Sequence, residues 1–162
     1  MDSKKELRLY NLMFPVWMLI WWPSPLWLVL IPLNYALDAL VLHVSLPAAA
    51  DRRAFRRRHT WKICLAGFLS DFLGSALLFA VYALSPARQL TYDIAYDPFG
   101  SAAALAVTLT AILLAAAAIF LLDRWVLRRS GLDADTARRA ARNLAVFTAP
   151  YLFLFPSGLL YR

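Results

Sequence analysis

The sequence predicts an all-α fold, a polytopic transmembrane helical bundle of about four to five membrane segments, one of them a short or re-entrant N-terminal helix. Three observations carry this. Of the 162 residues, 62% are hydrophobic, more than a soluble domain of that size holds. Several apolar runs reach about 20 residues, the length a helix needs to cross a hydrocarbon core of roughly 30 Å. The net charge of +7 comes from basic residues that flank these runs. Placed there, they point to membrane topology and anionic headgroups rather than to nucleic acid. Residues 1–162 read as a single transmembrane domain, with membrane segments at about 9–22, 26–46, 61–84, 99–122 and 144–161.

Residues 2–9 are charged and are expected at the surface. The apolar run that follows is short for a full span. Trp17, Trp21, Trp22 and Trp27 crowd its far end, where an interfacial aromatic belt sits. Pro23-Ser24-Pro25 then breaks the helix. These prolines, together with Pro15, argue against a cleavable signal peptide. Segment 26–46 is long enough to cross, with Pro32 as a possible kink, and Asn34, Asp38, Val41 and Ser45 share one of its faces. Residues 47–60 are expected as a basic loop holding Arg52, Arg53, Arg56, Arg57, Arg58 and His59.

Segment 61–84 carries Gly67, Ser70, Asp71, Gly74 and Ser75 on one face and bulky apolar residues on the other. Loop 85–99 follows, and Asp97-Pro98 reads as a helix start, with Asp as N-cap and Pro at the first helical position. Segment 99–122 is rich in alanine, which lets helix backbones approach closely. Residues 123–143 are polar and basic. Ser130-Gly131 ends one helix there, and Asp133 or Asp135 caps the next. The last run, 144–161, holds Pro150 and Pro156 and is expected to be short and bent.

The distribution of charge sets an expected orientation. The N-terminal tail holds three of the 17 Lys and Arg residues, 47–62 holds six, and 123–143 holds six. All of these fall on one side if residues 9–46 form an out-and-back hairpin. By the positive-inside rule that side is cytoplasmic, in a bacterial inner membrane, with the N-terminus inside. The arginines at 52, 53, 56, 57 and 58 are then placed to meet anionic headgroups.

Asp38 and Asp71 are the residues most able to carry chemistry. Each sits near the middle of a predicted span, where an ionised carboxylate against lipid costs about 3 kcal/mol or more. They must face protein, a partner charge or water. One reading is a cation or proton site on the ion or substrate pathway, assisted by Asn34, Ser70 and Ser75. The other is structural, each acid hydrogen-bonded to a neighbouring helix or paired with a basic side chain reaching in from the interface. Gly67 and Gly74 read as helix-packing positions. His43 and His59 have no partner at metal-ligand spacing, and the lone Cys64 supports neither a disulfide nor a cysteine zinc site. No metal and no other cofactor is expected.

Segments LRLYNLMFPVW (7–17), PLNYALD (32–38), FLSDFLG (68–74) and AVFTAPYLFLFP (145–156) resemble parts of a group of small bacterial multi-pass membrane proteins with no assigned activity. The resemblance covers most of the chain and implies the same membrane architecture, but adds no substrate and no site. An intramembrane aspartyl protease also needs two embedded Asp residues. Its Gly-x-Gly-Asp motif is absent, since Phe68-Leu69-Ser70 precedes Asp71, so the chain does not read as an enzyme. The leading expectation is a homo-oligomeric transporter or channel for cations or protons. The alternative is a non-catalytic membrane subunit or assembly factor that packs against a larger partner.

Overall fold

Charge keeps a segment out of lipid but does not stop it from winding, and the longest helix shows the difference. The computed structural model describes residues 15–21, 25, 27–47 and 51–161. Helix α1 spans Trp27–Ser45 and helix α2 spans Arg52–Leu84. The stretch 52–60, expected as a basic loop, is therefore helical. Arginine is a good helix former, and Phe55, His59, Thr60 and Ile63 recur at helical spacing on the side turned toward protein. Thr60 and Ile63 are buried, and Phe55 packs against the apolar core beneath.

Helix α3, Arg88–Tyr96, occupies most of the expected 85–99 loop, and α4 spans Ala102–Arg129. Asp97-Pro98 does not start α4. Asp97 closes α3, and its Oδ1 accepts from the Phe99 N–H at 3.2 Å. The N-cap of α4 is Ser101, whose hydroxyl oxygen accepts from the Ala104 N–H at 3.3 Å. At its other end α4 runs past residue 122, because nothing between 123 and 129 breaks a helix. It stops at Ser130-Gly131, with Gly131 in the left-handed region at φ +92°.

Helix α5, Ala134–Phe147, is capped by Asp133, whose carboxylate accepts from the N–H groups of Asp135 and Thr136 at 3.1 and 2.9 Å. The hydrogen bonds from Thr136 hold this exposed carboxyl below the usual carboxylate range. The helix buries Ala137, Ala140, Ala141, Leu144 and Ala145 and leaves Arg138, Arg139 and Arg142 in the open. That pattern is an amphipathic helix lying against the bundle.

Among the described residues the fold is all-helical, and α1, α2 and α4 are the helices long and apolar enough to cross a membrane. Segment 144–161 is not one helix. Helix α5 ends at Phe147, Pro150 lacks the N–H to continue it, and 3₁₀ turns follow at Tyr151–Leu154 and Ser157–Tyr161. The expected segment 9–22 contributes a 3₁₀ turn at Val16–Ile20. The rest of that expectation, apart from Pro15 and Trp21, lies outside the described residues, as does the charged tail 2–9.

Hydrogen bonds define the two ends of the bundle. At one end His59 Nδ1 meets the Ser130 hydroxyl at 3.0 Å, and Asn143 Nδ2 donates to Ser45 Oγ at 2.9 Å. These contacts gather the start of α2, the end of α1, the end of α4 and the middle of α5. The basic residues of 52–62 and 124–142 consequently share one end. At the other, Trp17 Nε1 donates to the Ile94 carbonyl at 3.0 Å, and the Val16 N–H donates to Ser157 Oγ at 2.9 Å. Each end has its own apolar core. Leu42, Ile63, Ile119, Leu127 and Leu144 form the one at the basic end. Trp17, Leu78, Ile94, Ile112 and Phe153 form the other.

Candidate functional site

Helix α2 packs most extensively on α4, and small residues set the closeness of that seam. A methyl group added at Gly74 would lie 2.8 Å from the Ala111 carbonyl oxygen and 3.1 Å from both Ala115 Cβ and Phe153 Cε2. Gly67, two turns earlier, has nothing within 4 Å of such a methyl. The two glycines that share a face in sequence thus meet different surroundings.

Asp38, Asp71 and Asp123 come from α1, α2 and α4 and are 5%, 8% and 1% exposed. Asp38 is the hub, close enough for its charge to act on both of the others. The Cys64 thiol and the Thr148 side chain lie against it. The Thr148 hydroxyl lies within hydrogen-bond reach of both this carboxyl and the Leu144 carbonyl, the latter at 2.9 Å, and the thiol is a weak donor. Asp71 Oδ1 and both carboxyl oxygens of Asp123 are buried without a hydrogen-bond partner. Among the described residues no basic side chain pairs with any of the three acids. Burial of a lone carboxylate is strongly unfavourable, so this cluster is held together against its own electrostatics by the packing of three helices.

The position of the cluster along the bundle follows from helix rise. Asp38 lies roughly 10 Å from the end of α1 at Ser45, and Asp123 about 9 Å from the end of α4 at Arg129, at 1.5 Å per residue. The acids are inside the apolar zone but toward the basic end.

Of the assisting residues expected from sequence, Asn34 lines a cavity together with Asp71. Ser70 and Ser75 are buried but are used locally. Ser70 Oγ donates to the Ala66 carbonyl at 2.8 Å. Ser75 Oγ donates to the Phe72 carbonyl at 2.9 Å and accepts from Trp21 Nε1 at 3.1 Å. The fold therefore brings Asp38 and Asp71 within electrostatic reach, sets Asn34 and Asp71 on one cavity, and uses both serines in helix and tryptophan contacts.

Asp123 and Thr148 do not stand out in the sequence as site residues, and Cys64 stands out there only as a lone cysteine. Asp123 stands at the start of the polar stretch that follows the apolar run. Its signal was periodicity: Ile112, Ala115, Ile119, Asp123 and Leu127 form one buried stripe on α4, and an acid in register with such a stripe is a buried acid. Thr148 has no such signal, because its place depends on where α5 stops.

The cavity, of about 330 Å³, opens between the 3₁₀ turn at Val16–Ile20, the first half of α1, α2 at Phe68 and Asp71, and residues 147–153. Apolar side chains form most of its wall, and Asp71, Asn34, Thr148 and the polar ends of Tyr151 and Trp27 are its polar groups among the described residues. A further buried acid, Asp93 on α3, lies at the opposite end, where its Oδ1 accepts from Gln89 Nε2 at 2.7 Å. Among the described residues no three His, Cys, Asp or Glu side chains are grouped closely enough to hold a metal ion. Comparison with protein-family models, with characterised proteins and with solved structures finds no match to this chain.

Proposed function

We propose that this is a small integral membrane protein that handles protons or monovalent cations through Asp38, Asp71 and Asp123. It works as a homo-oligomer, because three crossing helices are too few to enclose a wide pathway alone. The membrane is a bacterial cytoplasmic one. The basic end and the N-terminus face the cytoplasm, and Arg52, Arg53, Arg56, Arg57 and Arg58 meet anionic headgroups there.

One observation carries this reading. Three buried carboxyls from three apolar helices converge, and among the described residues no basic partner neutralises them. Each then needs a proton or a cation to be neutral. Such an arrangement is costly to build and suits binding and release of positive charge. Among the described residues no compact ligand set is gathered, which favours a proton, or a loosely held monovalent cation, over a coordinated metal.

A second reading, the assembly subunit, is favoured by Gly67. Its open surroundings leave room beside this one glycine for a partner helix to approach α2.

Ion and proton flux into proteoliposomes separates the two. The parent chain is expected to carry flux under a proton, sodium or potassium gradient, and Asp38→Asn and Asp71→Asn each to reduce it at least about tenfold with an unchanged elution profile. A parent chain silent under all three gradients would sink the transport reading and direct attention to partners that co-purify through the Gly67 face.

A further inference from the structure

The cavity beside Asp71 differs from the carboxylate cluster in shape and lining. At about 330 Å³ it falls within the range of sites that hold small organic ligands. Trp27 and Phe68 form part of its wall, their rings stacked at 6.4 Å between centroids with planes 11° apart. Phe153 closes it toward α4. Among the described residues that line it, none is basic, and Asp71 is the one acid. That acid is more than nine-tenths buried, and its Oδ1 has no hydrogen-bond partner. Asn34, Thr148 and the amphipathic rings of Tyr151 and Trp27 supply further polar groups.

We infer that this cavity is a binding site for a lipophilic organic cation, with the positive charge on Asp71 and the apolar body against Trp27, Phe68 and Phe153. The chemistry is specific in three ways. An unpaired carboxylate in an apolar wall attracts a cation that sheds water readily, as an organic one does and a small metal ion does not. Aromatic faces add a favourable contact to the same charge. An anion of equal size would meet the carboxylate and be rejected, which gives selectivity by sign. The site deepens the proposed function by naming a cargo class that would share Asp71 with the proton, but binding itself does not depend on flux.

Tetraphenylphosphonium and tetraphenylborate test this directly, being of nearly equal size and shape and of opposite charge. Equilibrium binding would be measured with the full chain in lipid nanodiscs, with empty nanodiscs subtracted. Tetraphenylphosphonium is expected to bind at one per chain and tetraphenylborate at least tenfold more weakly. Asp71→Asn should reduce tetraphenylphosphonium affinity at least tenfold. Leu37→Trp, which keeps the acid and adds bulk on a partly exposed wall residue, should reduce it comparably and guards against a folding defect in the Asp71 variant. Equal binding of the two ions would make the cavity a plain apolar slot and overturn the proposal. So would no tetraphenylphosphonium binding by the parent chain, or unchanged affinity in Asp71→Asn. Binding without proton or cation flux would overturn the transport reading alone, and flux without binding would overturn this one alone.

Discussion

Asp71 and Gly74 are one helical turn apart on α2 and face opposite kinds of surroundings. Around Gly74 the helix meets α4 so closely that no methyl group fits. Around Asp71 there is a cavity, an unpartnered carboxyl oxygen and a second buried acid, Asp38, within electrostatic reach. Phe153 borders both, touching the Gly74 position on one side and lining the cavity on the other. The packed seam supplies the stability that the cleft consumes. Helix–helix contact in a membrane is driven by close van der Waals fit and small residues, and unsatisfied carboxyls work against it. A protein that maximised stability would extend the seam and remove the acids. Their retention in a packed interior is the physical ground for assigning them a role.

The largest test of this contrast is Gly74→Val. An isopropyl group forced against the Ala111 carbonyl and Ala115 should destabilise the fold by about 1–3 kcal/mol, read as a lower unfolding midpoint in detergent. An unchanged midpoint would mean that the α2–α4 seam is looser than these contacts require.

Asp123→Asn probes the other side. It removes the ionisable group with little change of shape, so stability should rise by on the order of 1 kcal/mol at pH values high enough to ionise the parent carboxyl, while any proton flux falls. A drop in stability would show instead that the carboxyl has a strong partner and belongs to the packing. The smallest effect is expected for Gly67→Ala. With open space around the new methyl, the gain in helix propensity should make the variant neutral to slightly more stable, within about 1 kcal/mol. If it were as damaging as Gly74→Val, Gly67 would be in a contact between chains, and the assembly reading would gain.

The apolar helices and most of the grouping of charge were legible in the sequence. Hydropathy located α1, α2 and α4 because a spanning helix must be apolar along most of its length. It misjudged their ends because hydropathy measures compatibility with lipid, whereas the helix continues until a breaker stops it. Arg52 and Arg129 both lie outside the apolar runs but inside helices. Asp38 and Asp71 stood out because an acid amid apolar residues needs no tertiary knowledge to look unusual. Asp123 did not, since it sits at the border of an apolar run, and only its register with Ile119 and Leu127 betrays it.

The sequence by itself determined that this chain is helical and apolar, with its basic residues gathered into blocks and with acids it cannot place in lipid. Those properties follow from composition and spacing along a single strand of chain. The tertiary structure alone decided that Asp38 is the hub, that Asp123 joins it, that Ser70 and Ser75 turn to local hydrogen bonds, and that a cavity opens beside Asp71. Each of these depends on how α1, α4 and the break at Thr148–Pro150 lie against α2. Such contacts join residues distant in the chain, and no local pattern encodes the distance between them.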